Sequence, residues 1–230
     1  MFQEARSHLK FLPDTLVDRI HAECELNDRA HQPDHVFGVV LMVDKILKTF
    51  PECEHYRKVL MASALLHDVK CHLNREIHHV LAAQCVDHYY GGLGIFDEHE
   101  LTLIRLCILE HRASFKGVRT GDVTEIMAAA DRGEPRVPQY LKRAVLYRIS
   151  QDGTTPENVT AEIRHRHVYD AVQHLTEKFG ILGYAWKTTS KFVINAYGPQ
   201  IVDFQNELHK NRAAVLMYGI TNYEKWLAGN

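Results

Sequence analysis

Apolar residues recur along this chain at the three- and four-residue spacing of helices with one buried face, and almost nowhere at the two-residue spacing of strands. Asp14, just after Pro13, is the expected cap of a helix carrying Leu16, Val17, Ile20 and Cys24. Val36, Val39, Val40, Val43, Ile46 and Leu47 line a second helix that ends before Pro51. Val59, Leu60, Ala62, Ser63, Leu65 and Leu66 define a third. A fourth is expected from about Ile77 to Tyr89, where Gly91-Gly92 breaks it. Leu101, Ile104, Cys107 and Ile108 form one stripe of a helix over Glu98–Arg112, and an alanine-rich helix should cover Val123–Arg132. Further helices are predicted over Val137–Ser150, over Pro156–Phe179 with Gly180 just past its end, and over two segments flanking Gly198-Pro199. Gly183–Trp186 reads as a linker or short turn. The pattern predicts one all-α domain over residues 1–230, a bundle of roughly nine helices, with a looser boundary near Gln151–Thr155.

Composition narrows the class without naming a chemistry. A chain of 230 residues with 46% hydrophobic and 24% charged residues can bury a sizeable core and is not a disordered sequence. A net charge of −2 gives no whole-chain reason to expect a nucleic-acid or anionic-membrane partner. No stretch approaches the roughly 18–20 apolar residues of a membrane-spanning helix, and MFQEARSHLKFLPD lacks the apolar core of a signal peptide, so a cytoplasmic location is expected. Cys24, Cys53, Cys71, Cys85 and Cys107 are irregularly spaced, odd in number and without a Cys-x-x-Cys pair, which argues against a zinc ribbon or a disulfide framework.

Histidine stands out: 16 are present, and imidazole is the commonest side-chain ligand for transition metals. Several lie on the faces just described. His35 precedes Val39 and Met42, His67 follows Leu60, Ser63 and Ala64, and Asp68 follows Met61, Ala64 and Leu65. His78 precedes Ala82 and Cys85, His111 follows Ile104, Cys107 and Ile108, and Asp131 follows Met127 and Ala128. Six such groups turned into a bundle need compensation, since burying each unpaired costs several kcal/mol. A divalent cation satisfies imidazoles and carboxylates together, and helical bundles build metal sites in this way. Gly38, Ser63, Ala64, Ala82, Ala83 and Ala128 would leave room for it.

The order His…His-Asp…Asp, with the doublet in LLHDVK, the first histidine in AHQPDHVFGVV and the last aspartate in AADRGE, resembles the HD-domain phosphohydrolases over about residues 30–150. The resemblance implies an HD-domain helical bundle with additional C-terminal helices over 151–230, and a metal held by His35, His67, Asp68 and Asp131. IHHVLAA and LEHRAS are similar to the stretches that supply a second metal with ligands, which implies His78 (or His79 beside it) and His111, with Asp68 bridging. By the same resemblance the ions are one or two of Mn, Fe, Co, Ni or Mg, and the activity is hydrolysis of a phosphomonoester or phosphoanhydride, above all in a nucleotide.

Lys70, Arg112 and Arg132 flank these ligands and are candidates to stabilise phosphoryl charge, so that Asp68, Lys70 and Arg112 form the expected catalytic set. Nine Lys or Arg against five Asp or Glu between Arg105 and Arg148 give a local excess of +4 that suits a phosphate-bearing ligand. Val69-Lys70-Cys71 follows the doublet where cyclic-dinucleotide phosphodiesterases of the family often carry Gly-Lys, no GYP signature is present, and Cys71-His72 stands where alarmone hydrolases carry Glu-Asp. An HD-type nuclease and a sensor or interaction module are the competing readings; nucleic acid is the weaker partner given the near-neutral charge. Trp186, Phe192, Phe204, Tyr218 and Trp226 are expected as core or as homo-oligomer contacts through the C-terminal helices, and His165 and His167 are too isolated to be ligands.

Overall fold

A computed structural model of the protein describes residues 1–28, 30–180 and 191–229, with residue 194 described by its backbone alone. Among these residues there is no strand, and every regular element is helical, as the periodicity predicts. The expected linker at Gly183–Trp186, with Trp186 itself, lies outside the described residues.

The chain divides into two compact units, Met1–Gly133 and Glu134–Asn230. The first holds α1 (Phe2–Ser7), α2 (Asp14–Cys24), α3 (Pro33–Thr49), α4 (Arg57–Leu66), α5 (His78–Gln84), α6 (Glu98–Glu110) and α7 (Asp122–Arg132). A 3-10 helix, Pro51–Tyr56, joins α3 to α4, and a π turn, Asp87–Gly91, follows α5. Helix α4 is the axis of this unit. Every residue from Val59 to Leu66 is buried, as befits a helix surrounded on all sides. Against it pack α3, through Val36, Val39, Val40, Val43, Ile46 and Leu47, and α6 and α7 through their own apolar stripes. Each fully buried Val, Leu or Ile stabilises by about 1.5–3 kcal/mol, enough in sum to offset several buried polar groups.

The second unit holds α8 (Val137–Asp152), α9 (Ala161–Phe179), α10 (Lys191–Lys210) and α11 (Arg212–Leu227). Its core joins Leu141, Val145 and Ile149 of α8 to Val168, Val172 and Leu175 of α9, Phe204 of α10 and Trp226 of α11. This shared core explains why the division falls at Gly133–Glu134 and not at Gln151–Thr155. The polar stretch there is a turn inside the second unit, where Gly153 takes the left-handed φ of 60° that closes α8. Phe192, Phe204 and Trp226 are buried, whereas Tyr218 is largely exposed.

Several boundaries differ from the pattern. Asp14 is the first residue of α2, not its cap; Pro13 holds the cap position and the Asp14 carboxylate accepts from Arg6 at 3.1 Å. The helix expected to reach Tyr89 stops at Gln84 and resumes only as the π turn. Helix α9 starts at Ala161, where the Thr160 hydroxyl accepts from the Ile163 N–H at 3.2 Å, five residues beyond Pro156. Helix α10 continues through Gly198-Pro199, and the break comes at Asn211. Proline disfavours helical geometry in the preceding residue partly through that residue's Cβ, and Gly198 has none. No described helix is long and apolar enough to cross a membrane. All five cysteines are free thiols.

Candidate metal centre

All six expected ligands stand at or just beyond helix ends in the first unit. His35 is the third residue of α3, and His78 the first of α5. Asp131 is in the last turn of α7, which Gly133 stops in a backbone conformation (φ 68°, ψ −178°) open in practice only to glycine. His67 and His111 immediately follow α4 and α6. The His-Asp doublet therefore lies beyond the helix that was expected to contain it. Here the hydrogen bonds tighten to three-residue steps, Val69 N–H to Leu66 and Cys71 N–H to Asp68.

Ending helices at these residues has a chemical consequence. The last turns of α4 and α6 leave carbonyls without helical partners, and His67 and His111 take them, while His78 takes a carbonyl of the turn before α5. His67 Nδ1 donates to the Ala64 carbonyl at 2.8 Å, His111 Nδ1 to Ile108 at 2.7 Å, and His78 Nδ1 to Arg75 at 2.6 Å. A carbonyl can only accept, so Nδ1 carries a proton in each of these rings and Nε2 is the atom turned toward the carboxylates.

Those Nε2 atoms meet two carboxylates. His35 Nε2 lies 3.4 Å from Asp68 Oδ2 and 3.1 Å from Asp131 Oδ1. His67 Nε2 lies 3.3 Å from Asp68 Oδ2, 3.7 Å from Asp131 Oδ1 and 3.4 Å from His35 Nε2. On the other carboxylate oxygen, His78 Nε2 lies 3.1 Å and His111 Nε2 3.7 Å from Asp68 Oδ1, and the two ring nitrogens are 3.4 Å apart. Ligands about 2.0–2.2 Å from one ion sit roughly 3.0–3.6 Å from each other, close to the spacings found. His67, Asp68, His78 and His111 are all buried.

The electrostatics agree with this geometry. Burial opposes charge on Asp68, but His67 and the hydrogen bonds of His35, His67 and His78 outweigh it and hold the carboxyl well below its usual range. Asp131 is likewise held low against burial, chiefly by His35 and His67. His67 is pushed up to about 10, because Asp68 and Asp131 overcome the burial that would neutralise it. His111 is pushed down to about 3, first by burial and then by its positive neighbour His67, against the pull of Asp131 and Asp68. Two carboxylates held ionised among these imidazoles make the cluster a place where positive charge is favoured. A donor set of imidazoles and carboxylates around that place fits divalent ions of the borderline or hard kind.

His78, not His79, reaches Asp68; the His79 Nδ1 is buried without a hydrogen-bond partner. Of the expected cationic groups, Lys70 forms an ion pair with Glu23, which also accepts from Tyr89. Its ammonium thus binds α2 to the turn after α4 and is engaged with Glu23 rather than with either aspartate of the cluster. Arg112 donates to the Glu76 carbonyl, and Arg132 is buried. Three residues gave no sequence signal. Asn27 donates to the carbonyls of His31 and Asp68, both at 3.0 Å, and accepts from the His72 N–H at 2.8 Å, clamping the loop before α3 to the doublet. Asp28 and Arg75 form an ion pair at 2.9 Å beside it. All three are loop residues, so no helical period marks them.

Buried His and Asp groups in this protein could therefore hold a metal ion. Comparisons with protein families, with curated proteins and with solved structures find no match to this chain.

Proposed function

We propose that the protein is a divalent-metal-dependent phosphohydrolase of HD type, cleaving a phosphomonoester or phosphoanhydride of a nucleotide. The observation that carries this reading is the division of Asp68, whose Oδ2 faces His35 and His67 while its Oδ1 faces His78 and His111. His35, His67, Asp68 and Asp131 would hold one ion, and His78, His111 and Asp68 a second. Ions of the Mn, Fe, Co, Ni or Mg kind would supply Lewis acidity toward phosphoryl oxygens and make a water a stronger nucleophile at neutral pH. The polypeptide fixes the His67, His78 and His111 rings through their Nδ1 protons, keeps both carboxylates ionised, and closes an apolar core behind them. Arg112, directly after His111, is the cation best placed in sequence to meet phosphoryl charge. The order His…His-Asp…Asp is the sequence-level support for the HD type.

The test is release of phosphate or pyrophosphate from a panel of nucleotides with added Mn, Mg, Co or Ni. Asp68→Ala is expected to lower release by about a hundredfold or more. Undiminished release by that variant rejects the mechanism, and digestion of single-stranded DNA replaces it with a nuclease. Tight metal binding without turnover of any nucleotide favours a sensor or interaction module.

A further inference from the structure

Beside the six ligands lies a second set of polar groups that the proposed chemistry leaves without a role. The Asp28 carboxylate accepts from His31 Nδ1 at 2.8 Å, from the Ala30 N–H at 2.9 Å and from Arg75 Nη1 at 2.9 Å. The guanidinium lies against the His31 ring, with Nη1 2.9 and 3.2 Å from its two nitrogens. The His31 ring in turn meets the ring of His35 edge-on, 5.9 Å between centroids. Meanwhile the Arg75 carbonyl is the group that orients His78. One residue therefore borders both halves of the cluster, through its side chain on the His35 side and its backbone on the His78 side. The Arg75 side chain is 39% exposed, so the guanidinium is open to solvent beside the His31 ring. Arg112 bonds to the carbonyl of the next residue, Glu76, and brings a second cation to the same segment.

Asp28, His31 and Cys71 are close enough together to hold an ion themselves. Two observations speak against that use. The guanidinium already lies on the carboxylate, and the Cys71 thiol, pushed up to about 12 by burial and then by Asp68 and Asp28, keeps its proton. A fixed guanidinium beside an anionic centre instead suits an anion: its fork of N–H donors matches phosphate oxygens, and a carboxylate on one edge sets its plane.

We propose that Arg75, oriented by Asp28 and His31, receives the phosphate next to the one being hydrolysed, so that the preferred substrate is a phosphoanhydride rather than a monoester. The inference rests on the hydrolase reading above and adds the substrate class. Water adds to the phosphorus at the cluster, and the bond from that phosphorus to the bridging oxygen breaks. The bridging oxygen keeps the electron pair on the phosphate held by Arg75. One water is consumed, and its released proton passes to product phosphate or solvent. Asp28 acts only as a positioning residue.

The experiment compares full-length wild type with Arg75→Ala and Arg75→Lys in manganese, on inorganic pyrophosphate and on p-nitrophenyl phosphate. Calorimetric titrations with imidodiphosphate, which resists hydrolysis, and with inorganic phosphate run alongside. Arg75→Ala is expected to lose about tenfold or more in kcat/KM on pyrophosphate and in imidodiphosphate affinity. Monoester turnover and phosphate affinity should change less than about threefold, and lysine should restore part of the loss, since it keeps the charge without the fork. Equal losses on both substrates, or equal imidodiphosphate binding by wild type and Arg75→Ala, overturn the inference. If the wild type hydrolyses neither compound but its imidodiphosphate binding depends on Arg75, the anion subsite stands and the hydrolase reading falls.

Discussion

His78 and His111 turn their Nε2 atoms toward each other at 3.4 Å, and each has its Nδ1 proton committed to a backbone carbonyl. Rings so fixed turn the same atom toward each other and toward Asp68 Oδ1, an arrangement that a proton or a metal ion beside them makes favourable. On the other side of Asp68 the Nε2 atoms of His35 and His67 approach to the same 3.4 Å. The fold pre-organises donors around places where positive charge is wanted.

Metal content should follow this pairing. Wild-type protein equilibrated with manganese is expected to retain about two ions per chain, and His111→Ala about one, because Asp68 and His78 alone make a poor site. Elemental analysis after desalting measures the ratio. A ratio of two in His111→Ala would show that His111 is no ligand.

The pH dependence of metal binding follows from His67. With its folded pKa raised to about 10, the ring is protonated at pH 7.5 in metal-free protein, whereas an ion requires the Nε2 lone pair. Binding must expel that proton, so affinity should climb with pH, by about tenfold per unit, and level off near pH 10. Calorimetry in buffers of different ionisation enthalpy counts the protons. Binding at pH 7.5 without proton release would contradict the charge state deduced for His67.

Asn27 should matter for stability although it touches no ligand side chain. Asn27→Ala leaves the Asp68 and His31 carbonyls without their side-chain donor and the His72 N–H without its acceptor, in a buried place. The expected cost is about 1–3 kcal/mol. A lower Tm and faster loss of metal to a chelator are the measurements; an unchanged Tm would mean that water replaces the amide.

In the second unit, His167 is held between Tyr223, whose hydroxyl is 2.7 Å from Nδ1, and Asp152, 2.9 Å from Nε2. Both the ring and the tyrosine are buried. Tyr223→Phe strands a ring nitrogen and should destabilise this unit by about 1–3 kcal/mol. Denaturant unfolding tests it, and a midpoint equal to that of the wild type would rule the bond out as a stabilising contact.

Much was legible in the order of residues, because a helix is a local object. Its hydrogen bonds span four residues and its buried stripe repeats every three or four, so the apolar faces of α3, α4, α6 and α7 can be read from a few neighbours. That His35 and Asp131 lie on such faces was legible for the same reason, whereas His67, Asp68 and His111 stand just past the helices whose pattern they continue. Boundaries set by single contacts were less so: Gly198-Pro199 looks like a break and is none, and the helix expected from Pro156 begins only after Thr160, which caps it.

What the sequence by itself determined is an all-α chain with a set of imidazoles and carboxylates on inward faces. Which atoms meet was decided only by tertiary structure. Nothing in the spacing says that Lys70 turns to Glu23, that Asn27 reaches the Asp68 carbonyl, or that Arg75 settles on Asp28. These partners lie more than forty residues apart, and many sit in loops without a repeat. Their meeting depends on how helices pack and where each ends, and packing is a property of surfaces brought together by the whole unit, not of any stretch within it.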